Sequence, residues 1–260
     1  MVVISGVTFN MKIGVVGLGL IGGSIFKDLK NLGYDVIGVS KSQNGENIYK
    51  KYDILNDCSL VFVCTPMNKT LEVLRELENF LKPETVVADV CSLKRFVSKN
   101  KYSYNFIPSH PMAGTEHSGF ENSFAGLFKG AKWVITKQIA EDNILIKIIK
   151  QLGAVPLFTT PEEHDKAAAL ISHMPMLIAQ AIFKTAQDNE LALKMASTGF
   201  RDMTRLALSN SEMANDMITI NSDNIEHAIL KLYDSVGELT KSNYKSQIEQ
   251  IKNKRDRMFL

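Results

Sequence analysis

The chain has 260 residues and a formal net charge of +2, which is too small to indicate nucleic acid or an anionic membrane as a partner. It is 45% hydrophobic and 22% charged, which is ordinary for a globular protein of two domains or one large one. Its three cysteines form no CxxC pair, which argues against disulfide bonds and a zinc knuckle and favours a reducing, cytoplasmic setting.

The start of the chain carries no sign of targeting. Residues 1–10 lack the basic region and the cleavage site of a signal peptide. Met11 directly precedes the first clear element, so either the chain starts there or residues 1–10 are a short native extension. No apolar run approaches the roughly 18 residues that a membrane span needs.

Strand patterns alternate with helix patterns through the first 160 residues. This alternation predicts an α/β fold with a doubly wound parallel sheet. Helices with one apolar stripe are predicted at 20–32, 68–81 and 142–151. Strands are predicted at 12–17, 35–39, 60–64, 85–89, 104–108, 133–136 and 154–158.

The second half of the chain is predicted to be all-helical. Thr160 is expected to cap its first helix, with Pro161 at the first helical position. The division is therefore an α/β domain, 1–160, and a helical domain, 161–260. The last helix, about 36 residues, is far longer than an average helix and is expected to bury one face against a second subunit. The helices are predicted at 161–187, 190–198, 211–219 and 223–258.

A glycine-rich segment joins the first strand to the first helix. Gly17, Gly19 and Gly22 form a GxGxxG, which in this context predicts a dinucleotide-binding loop rather than a plain turn. Gly17 permits the tight turn, Gly19 lets a pyrophosphate approach the backbone, and Gly22 lets the helix pack on the strand. The helix start, with Leu20 and Ile21, would offer free N–H groups to the phosphates, and Ser24 is expected to add a hydroxyl donor.

The end of the second strand bears on the choice of cofactor. NAD enzymes usually place Asp or Glu there to bind the ribose 2′-hydroxyl, but here no carboxylate occurs before Glu46. A lysine between two serines suits a 2′-phosphate, so NADP is favoured over NAD. The alternative is a solvated loop lysine and a weakly bound ribose. The residues expected at the cofactor beyond the glycine loop are Ser40, Lys41, Ser42, Thr65 and Pro66.

A histidine after the fifth strand is the best candidate for catalysis. His110 lies at the edge where open sheets bind ligands, and a histidine beside a proline on a loop is poorly explained by packing. It is predicted to be a general base, against the alternative of a hydrogen-bonded core histidine. His117 is better explained as lining the rim. Glu163-His164-Asp165 lacks the spacing of a metal site, and its carboxylates suit the start of a helix.

Taken together, five segments resemble the prephenate/arogenate dehydrogenase family. The resemblance implies a Rossmann-type doubly wound parallel sheet followed by an all-helical dimerisation domain, and a homodimer formed through that domain. It implies an oxidoreductase that oxidatively decarboxylates prephenate or arogenate, to 4-hydroxyphenylpyruvate or tyrosine, on the route to tyrosine. No metal is needed, because the electron sink is the substrate ring. The segments are GLGLIGGS at 17–24, DVCSLK at 89–94, SHPMAGTEHSG at 109–119, SHMP at 172–175 and GFRDMTRLA at 199–207.

The resemblance also implies roles for individual residues. His110 matches the family's catalytic base, and Ser92 matches the serine that hydrogen-bonds the substrate hydroxyl and that histidine. Arg205 matches the arginine that binds the ring carboxylate, although from the residues alone an ion pair with Asp202 is an equal alternative. Glu116 matches an acidic residue that helps gate the pocket. The remaining residues expected at the substrate are Thr115 and His173, the latter with a helix-interface histidine as the alternative.

Two departures from the family pattern leave the substrate open. Met176 stands where many prephenate-specific relatives have a second histidine, and with Lys41 this makes the chain more similar to NADP-using arogenate dehydrogenases. Ala214 stands near the place of a family tryptophan, so feedback inhibition by tyrosine is not inferred. Two other functions stay open: a β-hydroxyacid-type dehydrogenase, which would rely on a lysine in the helical domain, and an inactive dinucleotide-sensing dimer.

Overall fold

A computed structural model describes residues 11–115, 117–241 and 244–259, and the question of the native start falls on residues outside that part. In the described residues nine strands and eleven α-helices follow one another. The strands are β1 (Lys12–Val16), β2 (Asp35–Val39), β3 (Ile48–Tyr49), β4 (Leu60–Val63), β5 (Val86–Asp89), β6 (Asn105–Ile107), β7 (Ser109–Pro111), β8 (Lys132–Ile135) and β9 (Val155–Phe158). The helices are α1 (Leu20–Asn31), α2 (Met67–Glu76), α3 (Arg95–Ser98), α4 (Ile144–Gln151), α5 (Pro161–Ala168), α6 (Met174–Ala186), α7 (Glu190–Met195), α8 (Thr198–Thr204), α9 (Ser211–Ile220), α10 (Ser222–Lys241) and α11 (Tyr244–Phe259).

Six strands form one parallel sheet in the order β3-β2-β1-β4-β5-β6. This is the strand order of a Rossmann-type doubly wound domain, and it confirms the predicted fold class. Because both faces of such a sheet are covered, its central strands are apolar throughout, and all four residues of β4 are buried. α1 and α4 bury their apolar stripes on one face, and α2 covers the other.

The last three strands form a separate sheet, contrary to the prediction of a single one. β8 lies between β7, to which it is antiparallel, and β9, to which it is parallel. The sequence pattern could not show this, because strand periodicity reports which face is buried but not which strand is the neighbour. His110 is the middle residue of β7 and pairs with Val134, so its prediction as a loop residue is wrong.

The second half is all-helical, as predicted, and its first helix is capped as predicted. The Thr160 side chain accepts a hydrogen bond from the N–H of Glu163, and Pro161 occupies the first turn. Five residues between α5 and α6, Ala169–His173, form a π-helical turn. The helix predicted over 223–258 is described as α10 and α11, and residues 242 and 243 between them lie outside the described part.

The helical run Pro161–Ala186 agrees with the helix predicted at 161–187. By length and composition alone it could cross a membrane. One such helix is weak evidence for a span, because core helices of soluble proteins pass the same test. Three polar side chains of the run, those of His164, Asp165 and His173, are buried inside the protein.

The two halves pack against each other through a shared apolar cluster. Side chains that follow β4 and β5 meet side chains of α6 and α9 there, so the helical domain lies over the carboxyl ends of those strands. These ends are where open α/β sheets bind ligands. The buried members of the cluster are Met67, Cys91 and Leu93 from the first half and Met176, Ala214 and Met217 from the second.

Candidate active site

The glycine loop after β1 has the geometry of a phosphate cradle. Gly17 has a φ of +87°, and a Cβ there would lie 2.7 Å from the carbonyl oxygen of Cys64. A Cβ on Gly22 would lie 1.9 Å from the carbonyl oxygen of Gly17, so only glycine lets α1 start this close to the turn. At Gly19, by contrast, a Cβ would meet no atom within 4 Å, and this open space is where a ligand can approach the backbone.

The start of α1 leaves its first N–H groups available. Gly19 is the N-cap residue and supplies no side-chain hydrogen bond, so the N–H groups of Leu20 and Ile21 have no acceptor within the helix. They carry the positive end of the helix dipole and suit a phosphate. Ser24 does not join them, because its buried hydroxyl donates to the carbonyl of Leu20 and accepts from the N–H of Phe124. The expectation that it offers a donor to the ligand is therefore wrong.

The segment after β2 carries cations and hydroxyl groups. Lys41 and Ser42 are exposed, whereas Ser40 is buried and its hydroxyl accepts the N–H of Gln43. Lys50 adds a second cation, because its Nζ donates to the carbonyl oxygens of Lys41 at 3.2 Å and of Gln43 at 2.7 Å. The segment therefore presents positive charge at the place where an NAD enzyme usually has a carboxylate.

The nearest carboxylate after β2, that of Glu46, is engaged elsewhere. Its Oε2 lies 3.2 Å from the Nζ of Lys30 on α1. Thr65 and Pro66 follow β4, which adjoins β1 in the sheet. A Cβ on Gly17 would lie 3.1 Å from the backbone N of Thr65, so this residue borders the glycine loop. The Thr65 hydroxyl lies 3.0 Å from that of Thr70, and Pro66 is the exposed residue before α2.

His110 is half-buried at the carboxyl end of β5. The residue before it, Ser109, holds this position, since its N–H and its hydroxyl donate to the side chain and the carbonyl of Asp89, the last residue of β5. Burial lowers the pKa of His110 well below its usual 6.5, and the nearby charge of Lys94 lowers it further. The imidazole is therefore neutral near pH 7, as a general base must be.

A buried histidine and a buried aspartate form a chain of contacts that leads away from His110. His110 Nδ1 lies 2.9 Å from His164 Nε2, and His164 Nδ1 lies 2.8 Å from Asp165 Oδ1. The Asp165 carboxylate also accepts the backbone N–H groups of Lys94 at 2.8 Å and Arg95 at 2.9 Å. Burial raises the pKa of Asp165, but these hydrogen bonds outweigh it and keep the pKa below 3.8. The sequence interpretation that these residues only begin a helix is therefore incomplete.

A buried ion pair supports the strand on which His110 lies. Lys94 and Asp89 are fully buried and paired, and Lys94 Nζ also donates to the carbonyl oxygen of Ser109 at 2.6 Å. The Asp89 carboxylate accepts the N–H groups of Cys91 and Ser109. A buried charge is tolerated when it is paired and hydrogen-bonded in this way. The network fixes the backbone on either side of the site.

Ser92 lies in the same segment, between Asp89 and Lys94. It is partly buried, and its hydroxyl makes no hydrogen bond to another residue in the described part of the chain. In particular, His110 Nδ1 is hydrogen-bonded to His164. The predicted contact between Ser92 and the histidine is therefore not formed through Nδ1, and the serine hydroxyl can bind a ligand.

Arg205 begins a 3₁₀ turn after α8 and is exposed. The alternative of an ion pair with Asp202 does not hold, because Asp202 Oδ1 lies 3.7 Å from Nε of Arg201 instead. Among residues 11–115, 117–241 and 244–259, no carboxylate pairs with Arg205. Its charge is therefore available to an anionic ligand.

His173 is placed differently from a pocket residue. It is buried in the π turn, where its Nδ1 lies 3.2 Å from Nδ2 of Asn221. Burial lowers its pKa to about 4. Asn221 also donates to the carbonyl of Asp165 at 2.9 Å, so the contact joins helices. The environment is that of the alternative considered from the sequence, a hydrogen-bonded histidine between helices.

The loop after β7 carries further residues predicted at the substrate. Thr115 is exposed, and its hydroxyl accepts the N–H of His117 at 3.2 Å. His117 is exposed as well, in agreement with its interpretation as a rim residue. Glu116, the predicted gating residue, lies outside the described residues, so its role stays a prediction.

The sequence did not identify the buried residues that support His110 and its strand. His164, Asp165, Lys94 and Asp89 were not assigned to the site, because their partners are remote in the chain; His164 and His110 are 54 residues apart. The available signal was a His-Asp pair at the first helix of the second domain, together with acidic and basic residues in DVCSLK. Neither pattern shows which side chains become buried.

Comparisons with known proteins agree with this arrangement. Residues 29–155 match the family model "Prephenate dehydrogenase, nucleotide-binding domain", and residues 160–254 match "Prephenate dehydrogenase, dimerization domain". Prephenate dehydrogenase of Bacillus subtilis (strain 168) is 31% identical over 236 residues, 80% of this chain. The chain spans 64% of the length of that relative.

Two solved structures share the whole architecture. Synechocystis arogenate dehydrogenase superposes with a TM-score of 0.80 at 30% identity and covers 95% of this chain and 100% of its own. Prephenate dehydrogenase from A. aeolicus, in complex with hydroxyphenyl propionate and NAD+, gives a TM-score of 0.84 at 25% identity and covers 95% and 98%. With two family models matched across most of its length, the chain belongs to the prephenate dehydrogenase family.

Proposed function

We propose that the protein is a nicotinamide-dependent dehydrogenase that oxidatively decarboxylates prephenate or arogenate in tyrosine biosynthesis. The observation that carries the proposal is the placement of His110. A neutral imidazole stands at the carboxyl end of β5, in a sheet whose first strand leads into a glycine cradle. An unpaired guanidinium, that of Arg205, is contributed by the helical half. Together they suit a substrate with a hydroxyl to deprotonate and a carboxylate to bind.

In this reaction His110 takes the hydroxyl proton of the substrate. The O–H bond breaks and an N–H bond forms at the imidazole while the carbinol carbon becomes a carbonyl. Ser92 offers its hydroxyl to the same substrate oxygen. The bound cofactor supplies the hydride acceptor. The carboxylate then leaves as carbon dioxide, and the electrons of the broken C–C bond complete the aromatic ring.

Arg205 binds the ring carboxylate of the substrate. Its guanidinium is planar and charged at all relevant pH values, so it can bind a carboxylate through two parallel hydrogen bonds. Thr115 and Glu116 follow His110 in the chain and are proposed to line the entrance. For His173 the buried contact with Asn221 supports a structural role at the edge of the pocket rather than direct binding.

The residues after β2 support NADP as the preferred cofactor, with NAD as the alternative. Lys41 and Ser42 are exposed, Lys50 adds a second cation, and Glu46 is paired with Lys30. A 2′-phosphate would be attracted to this segment, whereas a ribose 2′-hydroxyl would find no carboxylate to accept its hydrogen bond. The phosphates would lie at the start of α1, at Gly17, Gly19 and Gly22.

Met176 bears on which side chain the substrate carries. Met176 is buried in the cluster between the two halves, where many prephenate-specific relatives have a histidine. A thioether gives no hydrogen bond donor for the pyruvyl group of prephenate. This favours arogenate, whose side chain carries an ammonium in place of the keto oxygen and so needs no donor there.

A homodimer formed through the helical domain completes the proposal. In the single chain several large apolar side chains of that domain are solvent-exposed, which is typical of a surface that a second subunit covers. The most exposed of them are Ile171, Leu191, Met195, Met203, Leu208, Tyr233 and Met258.

Two rival functions make different predictions. A β-hydroxyacid-type dehydrogenase would reduce or oxidise a smaller hydroxyacid without loss of carbon dioxide. A dinucleotide-sensing dimer would bind cofactor and turn over nothing. The neutral imidazole of His110 and the hydroxyl of Ser92, which makes no hydrogen bond to another described residue, favour an enzyme over a sensor.

A crossed steady-state assay tests the proposal. Prephenate and arogenate are each combined with NAD and NADP, and reduced cofactor is followed at about 340 nm with release of carbon dioxide as a second readout. We expect turnover with at least one pair, and a lower KM for NADP than for NAD. His110→Asn should lower kcat by about 10²–10⁴ with cofactor binding retained. Absence of turnover with all four pairs would refute the proposed function.

A further inference from the structure

We propose that His164 and Asp165 are positioning residues that fix the tautomer of His110, so that its unprotonated Nε2 faces the substrate. The inference rests on the proposed function for its catalytic meaning. Its structural basis is the chain of contacts from His110 Nδ1 to His164 Nε2 at 2.9 Å and from His164 Nδ1 to Asp165 Oδ1 at 2.8 Å.

The donor and the acceptor of each hydrogen bond can be assigned by starting from Asp165. Its carboxylate accepts the backbone N–H groups of Lys94 and Arg95, which can only donate. An ionised carboxylate is itself acceptor-only, so the remaining contact requires His164 Nδ1 to carry a proton. The hydrogen bonds that keep the pKa of Asp165 below 3.8 maintain the carboxylate in this form.

The proton on His164 Nδ1 determines the role of His164 Nε2 in the contact with His110. A neutral imidazole has one N–H, so Nε2 of His164 is an acceptor, and the contact at 2.9 Å requires His110 Nδ1 to donate. The other ring nitrogen of His110, Nε2, is then left with a lone pair. This is the atom that can remove a proton from a substrate hydroxyl.

The same contacts stabilise the product of that step. When His110 Nε2 accepts the hydroxyl proton, the ring becomes an imidazolium whose Nδ1–H points at His164 Nε2. A hydrogen bond to the charged form stabilises it, and Asp165 provides the negative charge at the far end. His164 and Asp165 are buried, so we assign them no contact with substrate or cofactor and expect them to act only through His110.

The arrangement spans the two halves of the protein. His110 lies on β7 and Lys94 precedes α3, whereas His164 and Asp165 lie on α5 of the helical half. His164 is 4% and Asp165 1% exposed, so water does not compete for these hydrogen bonds. The correct tautomer of the base therefore depends on docking of the helical half onto the sheet.

Histidine ¹⁵N NMR on the full chain tests the inference without substrate. The sequence contains five histidines, and the His110 and His164 signals are assigned by their absence in His110→Asn and His164→Asn. We expect both rings to be protonated on Nδ1 and bare on Nε2 at pH 7. A His110 ring protonated on Nε2, or a doubly protonated His164, would overturn the inference.

Two matched substitutions test the catalytic consequence. The amide of Asn overlies Nδ1 of the ring it replaces, so His164→Asn keeps the contact with Asp165 but loses the acceptor for His110. The longer Gln places its amide oxygen near Nε2, so His164→Gln keeps that acceptor. We expect His164→Asn to lower kcat by about 10- to 100-fold with little change in substrate KM, and His164→Gln to retain most of the activity.

The outcomes separate this inference from the proposed function. Equal kcat values for the two variants, or a loss confined to KM and thermal stability, would show a purely structural role and overturn it. If the wild-type chain turns over no substrate, the proposed function fails, and the NMR tautomers still decide whether His164 and Asp165 set the state of His110.

Discussion

Arg205 is a charge without a counter-charge in the described part of the chain. Its side chain is exposed at the start of a 3₁₀ turn, and the carboxylate that the sequence offered as a partner, Asp202, lies beside Arg201. Exposed ion pairs contribute little to stability, and Arg205 lacks even that contribution. We therefore predict that this guanidinium serves in binding rather than in folding.

Substitution of Arg205 should separate these two roles. Arg205→Gln should raise the KM for the substrate by about 10- to 100-fold, because a hydrogen bond to a charged group contributes roughly 1.5–3 kcal/mol. Thermal stability should not change. Steady-state kinetics with thermal unfolding measure both, and Arg201→Gln, on the preceding turn, is the matched control. A change in melting temperature with an unchanged KM would assign Arg205 to the fold.

At the residue scale, part of the site could be predicted from the sequence. His110 and Ser92 stand out because a polar residue after a strand of an open sheet lies at the ligand-binding edge. His164 and Asp165 do not stand out, because their role depends on contacts with residues that are remote in the chain. His164 is 54 residues from His110, and Asp165 is 71 residues from Lys94. Local spacing carries no information about such contacts.

At the scale of single elements, the glycine loop requires glycine at two positions for different reasons. Gly22 is a packing requirement, because a Cβ there would overlap the carbonyl oxygen of Gly17 and approach Cys64. Gly19 is not, since its φ of −97° suits any residue and the space beside it is empty. The sequence motif contains both glycines, and only the structure distinguishes their two roles.

These two glycines give a paired prediction. Gly22→Ala should lower the free energy of unfolding by about 1–3 kcal/mol, as overpacking against backbone does. Gly19→Ala should leave stability unchanged or slightly raised, because alanine restricts the unfolded chain, while cofactor affinity falls at least about tenfold. Urea unfolding and calorimetric titration with NADP measure the two effects. Normal cofactor binding by a stable Gly19→Ala protein would remove the phosphate cradle from this position.

The strands illustrate where element prediction ends. The strands of the parallel sheet from β1 to β6 were found, except the two-residue β3, because buried strands form continuous apolar runs. β7 was not, since three residues ending in a proline show no periodicity. Its antiparallel pairing with β8 creates a second sheet, and His110 thereby gains a fixed backbone instead of a mobile loop.

At the scale of the whole molecule, the change from alternating strands and helices to helices alone was visible in the sequence. How the halves dock was not. Polar contacts between the halves are made by Asp165 with the backbone of Lys94 and Arg95, and by Asp223 with the guanidinium of Arg95. Backbone donors are present at every residue, so the sequence cannot show which of them a carboxylate will bind.

Two buried, neutral imidazoles make the whole fold sensitive to acid. Burial lowers the pKa of His173 to about 4 and that of His110 well below 6.5. In the unfolded chain both would titrate near 6.5. Below pH 6.5 the unfolded state therefore binds protons that the folded state does not, and stability falls as the pH is lowered toward 4.

The free energy of unfolding should accordingly be highest near neutral pH and fall between pH 6.5 and 4, with His173 contributing at most roughly 3 kcal/mol. Urea unfolding at several pH values measures the slope. His173→Asn keeps an acceptor for Asn221 but cannot titrate, so its slope should be shallower, whereas substitution of the exposed His227 by Asn should leave the slope unchanged. Asp165 acts in a separate window, because its lowered pKa removes stability only below about 3.8. A His173→Asn protein that loses stability as steeply as the wild type would show that this buried imidazole does not make the stability of the fold depend on pH.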